Sequence, residues 1–240
     1  MTSSLGGRSR ARDGGAIRNL LVGGVRVRVA TAAPAPGESL SIAARTLGER
    51  LVSSWTSSAA TVRVAALLPS GRPIVTGPHG ASGIVVSLAH DAGLVAAAVA
   101  AGCGVGIDVV DDSVTRDGLL HWMDAAERDL AARTSPGAVW GAKEAAYKAC
   151  SIDAAFDPRA TRIAPAAPGR FRWSVRDRWR TVEGEGRFVR RGRHVVAVAV
   201  VAVAPVRHAP RAARPPRHVP GAVACGPVSP HPSIPPENAR

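Results

Sequence analysis

Trp140-Gly141-Ala142-Lys143-Glu144-Ala145-Ala146-Tyr147-Lys148 is the stretch around which the chain can be read. It belongs to a helical pattern running from Pro136 to Cys150, with the proline suited to a first helical turn. The protein has 31 basic residues, and the only two lysines among them are Lys143 and Lys148, on either side of Glu144. The single tyrosine, Tyr147, lies between them. An ammonium on a flexible stem differs chemically from a planar guanidinium, so lysine kept only here points to a site that needs it. At 3.6 residues per turn, Trp140, Glu144, Tyr147 and Lys148 fall near one face, with Lys143 beside it. A solvated helix with Glu144 and Lys148 as an i,i+4 pair worth ~0.2–0.5 kcal/mol would use the same residues. The scarcity of lysine favours the functional reading.

Outward from this helix, Gly102, Gly104 and Gly106 lead into Ile107-Asp108-Val109-Val110. Glycines so dense beside a strand allow tight turns or close backbone approach. They do not make a dinucleotide fingerprint, because no third glycine opens a following helix. Strands are expected over Val22–Ala30, where Val25, Val27 and Val29 alternate with Arg26 and Arg28, and over Val62–Leu68, Ile84–Leu88, Arg170–Val175, Arg180–Val189 and His194–Ala204. Helices are expected from Ser39 or Ser41 to about Ser54 and from Asp124 to Arg133. Leu94–Ala101 fits a buried strand or a short helix, and Pro69-Ser70-Gly71-Arg72-Pro73 reads as a turn. A loose order of strand, helix and further strands occurs twice, over about 20–101 and 104–204, without a sequence self-match. The resulting division is a disordered basic stretch 1–18, an N-terminal half 19–103, a C-terminal half 104–204 and a disordered Pro/Arg-rich tail 205–240.

Of the formal charge of +13, the two ends carry +3 (residues 1–18) and +4 (residues 205–240), leaving +6 on the body. That balance favours an anionic partner: nucleic acid, a phosphorylated cofactor or an acidic protein. Charge is the only feature for nucleic acid, since no recognition helix, aromatic platform or zinc module appears, so no specific nucleic acid is expected. The longest apolar run, Val195–Ala204, is about half the ~20 residues of a spanning helix, and no secretion signal is recognised. Cys103, Cys150 and Cys225 are isolated and lack CxxC spacing, which fits a reducing cytoplasm better than a disulfide framework or a zinc site.

Asp108, at the end of an apolar stretch, suits a cap or a ligand for a hard cation, and with Glu144 it could form the carboxylate pair that Mg2+ accepts beside phosphate oxygens. His90, beside Ser87 and Asp91 at a strand end, fits a phosphate contact, as does Arg72 in its Gly-Arg-Pro turn. A single histidine is more often structural than functional, and the arginine turn is equally suited to solvent.

Taken together, Gly106-Ile107-Asp108 and Trp140-x-x-Lys143-Glu144-x-x-x-Lys148 resemble the signature of the 4′-phosphopantetheinyl transferase superfamily. Gly71-Arg72-Pro73 and Ser87-Leu88-Ala89-His90 resemble the upstream motifs of its long, surfactin-synthetase-activating type. The four motifs cover about residues 71–148. The resemblance implies an α+β fold of two similar α/β halves related by pseudo-twofold symmetry, acting as a monomer with coenzyme A between the halves. It implies transfer of the 4′-phosphopantetheine arm of coenzyme A to a serine of an apo acyl or peptidyl carrier protein, releasing adenosine 3′,5′-bisphosphate, in the service of secondary metabolite biosynthesis. Asp108 and Glu144 would hold Mg2+, Lys148 would neutralise phosphate charge with Lys143 in support, and His90 and Arg72 would contact the 3′-phosphate region. Asp108, Glu144 and Lys148 are thus the expected catalytic set, and Arg72, His90, Lys143 and Lys148 the expected coenzyme A contacts. The sequence departs from the pattern at Val110, where a second acid is usual, at Ala89, where serine is usual, and at Cys150-Ser151, where glycine is frequent. A member that binds coenzyme A or a carrier protein without transfer is the alternative that Val110 and Ala89 raise.

Overall fold

Two adjacent glycines start the architecture. Gly23 and Gly24 both have positive φ, 51° and 77°, the conformation that a two-residue hairpin turn demands. They join β1 (Ala16–Val22) to β2 (Val25–Ala32) in an antiparallel pair. β1 begins inside the stretch expected to be disordered, which corrects that expectation from Ala16 onward. The computed structural model describes residues 16–56, 62–67, 70–77, 83–113, 117–150, 155–178 and 180–202. The expected disorder of residues 1–15 and of the tail from 205, and Cys225 with it, lies outside the described residues.

The remaining elements are α1 (Leu40–Thr56), β3 (Arg63–Leu67), β4 (Arg72–Thr76), β5 (Ile84–Asp91), β6 (Leu94–Ala101) and β7 (Cys103–Asp111), then a 3-10 helix (Asp117–Trp122), α2 (Ala125–Arg133), α3 (Pro136–Cys150), β8 (Thr161–Ala167), β9 (Arg170–Arg176), β10 (Thr181–Arg191) and β11 (His194–Ala202). The fold is mixed α+β, with three α-helices and three antiparallel sheets ordered β1-β2-β6-β5, β7-β11-β10-β9-β8 and β3-β4. Leu94–Ala101 is a strand, the choice that its composition left open. Arg72 and Pro73 open β4 and do not close a turn. Strand β8 was not anticipated.

Period-two alternation sorts the side chains into layers. In β6, Val95, Ala97 and Val99 face α1 beside Leu47, Leu51 and Val52. Ala96, Ala98 and Ala100 face the other way, against Val105 and Ile107 of β7 and Val196 and Val198 of β11. On the far side of the second sheet, α3 packs its alanines over Phe171, Trp173 and Ala197. The order is therefore helix, sheet, sheet, helix. Each fully buried valine or leucine contributes ~1.5–3 kcal/mol, and the many alanines keep the layers close.

The two large sheets meet at their edges. The chain leaves β6, turns at Gly102 (φ 70°) and enters β7 directly. Strands β5 and β7 then lie side by side without a backbone ladder. The Ile107 amide donates to Ser87 Oγ at 3.1 Å, and the Asp111 amide donates to Asp91 Oδ2 at 2.6 Å. Both links have the same sequence offset, so the two strands run parallel. Among the described residues, no helix is long and apolar enough to cross a membrane.

Candidate functional site

Strand β7 assigns its residues to faces by alternation. Cys103, Val105, Ile107 and Val109 enter the core between the sheets, so Gly104, Gly106, Asp108 and Val110 face α3. The two glycines are there because the helix lies directly on them. A Cβ on Gly106 would collide with the backbone of Ala145 and Ala149, and one on Gly104 with the carbonyl of Ala149. Close approach, not turn formation, is what these glycines allow. Asp108 comes two residues after Gly106 on the same face, and so emerges beneath the last turns of α3.

There it meets Lys148 and Glu144. Lys148 Nζ donates to Asp108 Oδ1 at 2.7 Å and to the Ile107 carbonyl at 3.2 Å, and lies 4.0 Å from Glu144 Oε2. Trp140 Nε1 donates to Glu144 Oε1 at 2.6 Å. Phe156 buttresses this helix face, edge-on to Trp140 at 5.6 Å and tilted against Tyr147 at 5.3 Å. Burial pushes the Asp108 carboxyl up to about 7; the Lys148 ammonium draws it down, and the neighbouring Glu144 adds to the rise.

Asp108, Glu144 and Lys148 line one cleft of about 590 Å³, and so do Arg72 from β4 and His90 from β5. Five of the six residues singled out in the sequence are thus brought to one cleft by four elements, β4, β5, β7 and α3. Two further liners from α1, Ser41 and Arg45, were missed. Their i,i+4 spacing puts them on one helix face, a signal available in the sequence but shared with many solvated helices. Ser41 Oγ lies 3.4 Å from His90 Nε2. Ser87 and Asp91, His90's neighbours, are committed to bridging β5 and β7.

Lys143 is the correction. It is not at the cleft but 1% exposed on the opposite flank of α3, with Nζ 2.6 Å from Glu127 Oε1. It also donates to the Pro158 carbonyl at 2.9 Å and to the Thr161 carbonyl. The reason is geometric: one residue along a helix is a rotation of 100°, so with Glu144 facing the cleft its predecessor faces α2 and β8.

Val110, where a second acid was looked for, is buried at 2% exposure under α3. A Cβ on Gly137 would come within 2.8 Å of Val110 Cγ1, and one on Gly141 within 3.0 Å of Cγ2. The valine is the packing partner of the helix's two glycines.

As a donor set for a divalent cation, Asp108 and Glu144 are a pair of hard oxygen ligands on a cleft that also carries cationic side chains. Mg2+ uses such a pair when phosphates and water complete its shell, so the residues fit it. Among the described residues, no group of three or more His, Cys, Asp or Glu side chains forms a self-sufficient metal site. Comparison with known protein families finds no match to the chain, and comparison with curated proteins finds none either.

Proposed function

We propose that the protein is a Mg2+-dependent 4′-phosphopantetheinyl transferase that modifies a serine of an apo acyl or peptidyl carrier protein. The observation that carries this reading is the convergence of Asp108, Glu144 and Lys148 on a cleft shared with Arg45, Arg72 and His90. Two carboxylates opposite several cationic groups suit a phosphorylated ligand bound with a metal, and about 590 Å³ is within the ordinary range for a small-molecule site. The two large sheets, each carrying a helix on its outer face, support the related reading of two similar halves about a pseudo-twofold axis; a monomer in the cytoplasm is proposed with it.

In this reading the serine Oγ attacks the β-phosphorus of coenzyme A. A new P–O ester forms, the bridging P–O bond of the pyrophosphate breaks, and adenosine 3′,5′-bisphosphate departs. Asp108 and Glu144 would hold the Mg2+, which supplies charge neutralisation at the pyrophosphate. Lys148 contributes its own positive charge beside them, as positioning and electrostatics dominate phosphoryl-type transfer. Trp140 donates to Glu144 Oε1, so Oε2, 4.0 Å from Lys148 Nζ, is the oxygen that would take the serine proton. Arg72, Arg45 and His90 orient the nucleotide end. The +6 body favours docking of an acidic carrier protein.

The test is mass spectrometry of apo acyl, peptidyl and aryl carrier proteins incubated with coenzyme A and Mg2+. A pantetheine adduct is expected, reduced at least about 100-fold by Glu144→Ala. No adduct on any carrier, together with coenzyme A binding unaffected by Glu144→Ala, would sink the reading. Val110, filling with methyl groups a position that faces the same helix as Asp108, favours one second reading: a protein that binds coenzyme A without transfer. Calorimetric binding of coenzyme A with no adduct would select it.

A further inference from the structure

The contact between α3 and β7 is made mostly of small side chains: Gly104 and Gly106 lie beneath Ala145 and Ala149, and Val110 packs on Gly137 and Gly141. Such a contact brings backbones close but has few protrusions to fix how the helix is rotated or how far it slides. The aim of Glu144 and Lys148 at Asp108 depends on both. On the other flank of α3, within an otherwise apolar core, sits the ion pair of Lys143 and Glu127, exposed only 1% and 2%.

The pair is fully connected. Lys143 Nζ has three acceptors: Glu127 Oε1, the Pro158 carbonyl and the Thr161 carbonyl. Glu127 Oε1 also accepts from the Ile163 amide at 2.8 Å, while Oε2 accepts from the Asp124 amide at 3.0 Å, closing the capping box of α2. One ammonium therefore gathers α2, the segment 157–160 and β8 onto α3. Phe156, immediately before that segment, backs Trp140 and Tyr147 on the cleft side. Trp140 in turn holds Glu144.

We propose that the Lys143–Glu127 pair is a positioning device for the cleft. By fixing the rotation of α3, it sets where the carboxylate of Glu144 and the ammonium of Lys148 stand relative to Asp108. Stability alone does not call for a buried ion pair, because apolar residues of similar volume usually serve as well or better. Directional bonds to four fixed groups supply what the alanine–glycine contact cannot, a unique register. Insofar as the aimed residues act on coenzyme A, this inference rests on the function proposed above.

The test separates fold from aim. Lys143→Met alone leaves a buried carboxylate unpaired and lowers the melting temperature. The double variant Lys143→Met/Glu127→Leu removes both charges and is expected to recover part of that loss, the Ile163 and Asp124 amides still lacking their acceptor. Its kcat for carrier-protein modification is expected to stay at least about tenfold below that of the unmodified protein, with KM for coenzyme A within about threefold. Lys143→Arg should not restore the rate, since a planar fork does not match the three acceptors. A double variant with normal melting temperature and normal kcat overturns the proposal. If the unmodified protein transfers nothing, the functional reading fails separately, and a crystal structure of the double variant decides this one. A displacement of Glu144 and Lys148 from Asp108 by about 1 Å or more supports it, and an unmoved trio overturns it.

Discussion

An ammonium carries three donors on a tetrahedral nitrogen, and both lysines of this protein use that shape. Lys148 reaches a carboxylate and a backbone carbonyl with a second carboxylate nearby, and Lys143 reaches one carboxylate and two carbonyls. A flat guanidinium fits neither set, which gives a physical cause for lysine persisting at two places in an arginine-rich chain. Lys148→Arg is accordingly expected to lower kcat/KM for carrier modification by about 10- to 100-fold, measured by adduct formation. Asp108 carries a pH signature. Its carboxyl titrates at about 7 in the folded protein against an ordinary 3.8, so the folded state holds the proton more tightly. Stability is therefore greatest at acid pH on this account, falls as pH rises from about 4, and reaches its full penalty above about 7. In urea titrations with a chelator present, Asp108→Asn should gain about 2–3 kcal/mol on the unmodified protein between pH 5 and pH 8. A constant difference across that range would contradict the buried, proton-retaining carboxyl.

At the scale of elements, the contact of α3 with β7 is the one with least tolerance. Gly106→Ala must push the helix backbone away, and about 3 kcal/mol of destabilisation is expected from chemical denaturation, together with weakened coenzyme A binding. This contact also shows what could be read in advance. Helix α3 was legible to its end residues, because Pro136 marks its start and its residues have no competing period. That Gly106 and Asp108 share a face follows from strand alternation once the structure puts Ile107 and Val109 in the core. Strand β8 was hidden because Ala164, Pro165, Ala166 and Ala167 erase its alternation after Ile163. β1 was hidden because Ile17 and Leu21 are exposed and its Gly23-Gly24 turn fell inside the strand expected over Val22–Ala30. For Lys143, a helical wheel gives an angle and not a neighbour. Its burial depends on Glu127 and β8, which are brought there by tertiary packing. Asp124 and Glu127 form the capping box of α2, and nothing local in the sequence announces Lys143 as the second partner of Glu127.

For the whole molecule, the deciding feature is that the two large sheets are joined edge to edge by side chains. Asp91→Ala removes the acceptor for the Asp111 amide, and an orphaned buried donor costs ~1–3 kcal/mol. Faster hydrogen exchange at the Asp111 amide, with that at Ile107 less changed, is the expected readout. The cleft lies along this seam, lined by Ser87 and His90 from one sheet and Asp108 from the other, so cutting the seam link should also weaken ligand binding. Covalent continuity between the sheets, by contrast, passes through the single residue Gly102. That makes Gly102 the natural break point for fragment complementation. Residues 16–101 and 103–202, produced as separate polypeptides, would each expose a stripe of alanine and valine that only the other half covers, and should be sticky apart and reassemble when mixed. The two halves could then be exchanged independently, so that the cleft-lining arginines of one and the carboxylates of the other become interchangeable parts.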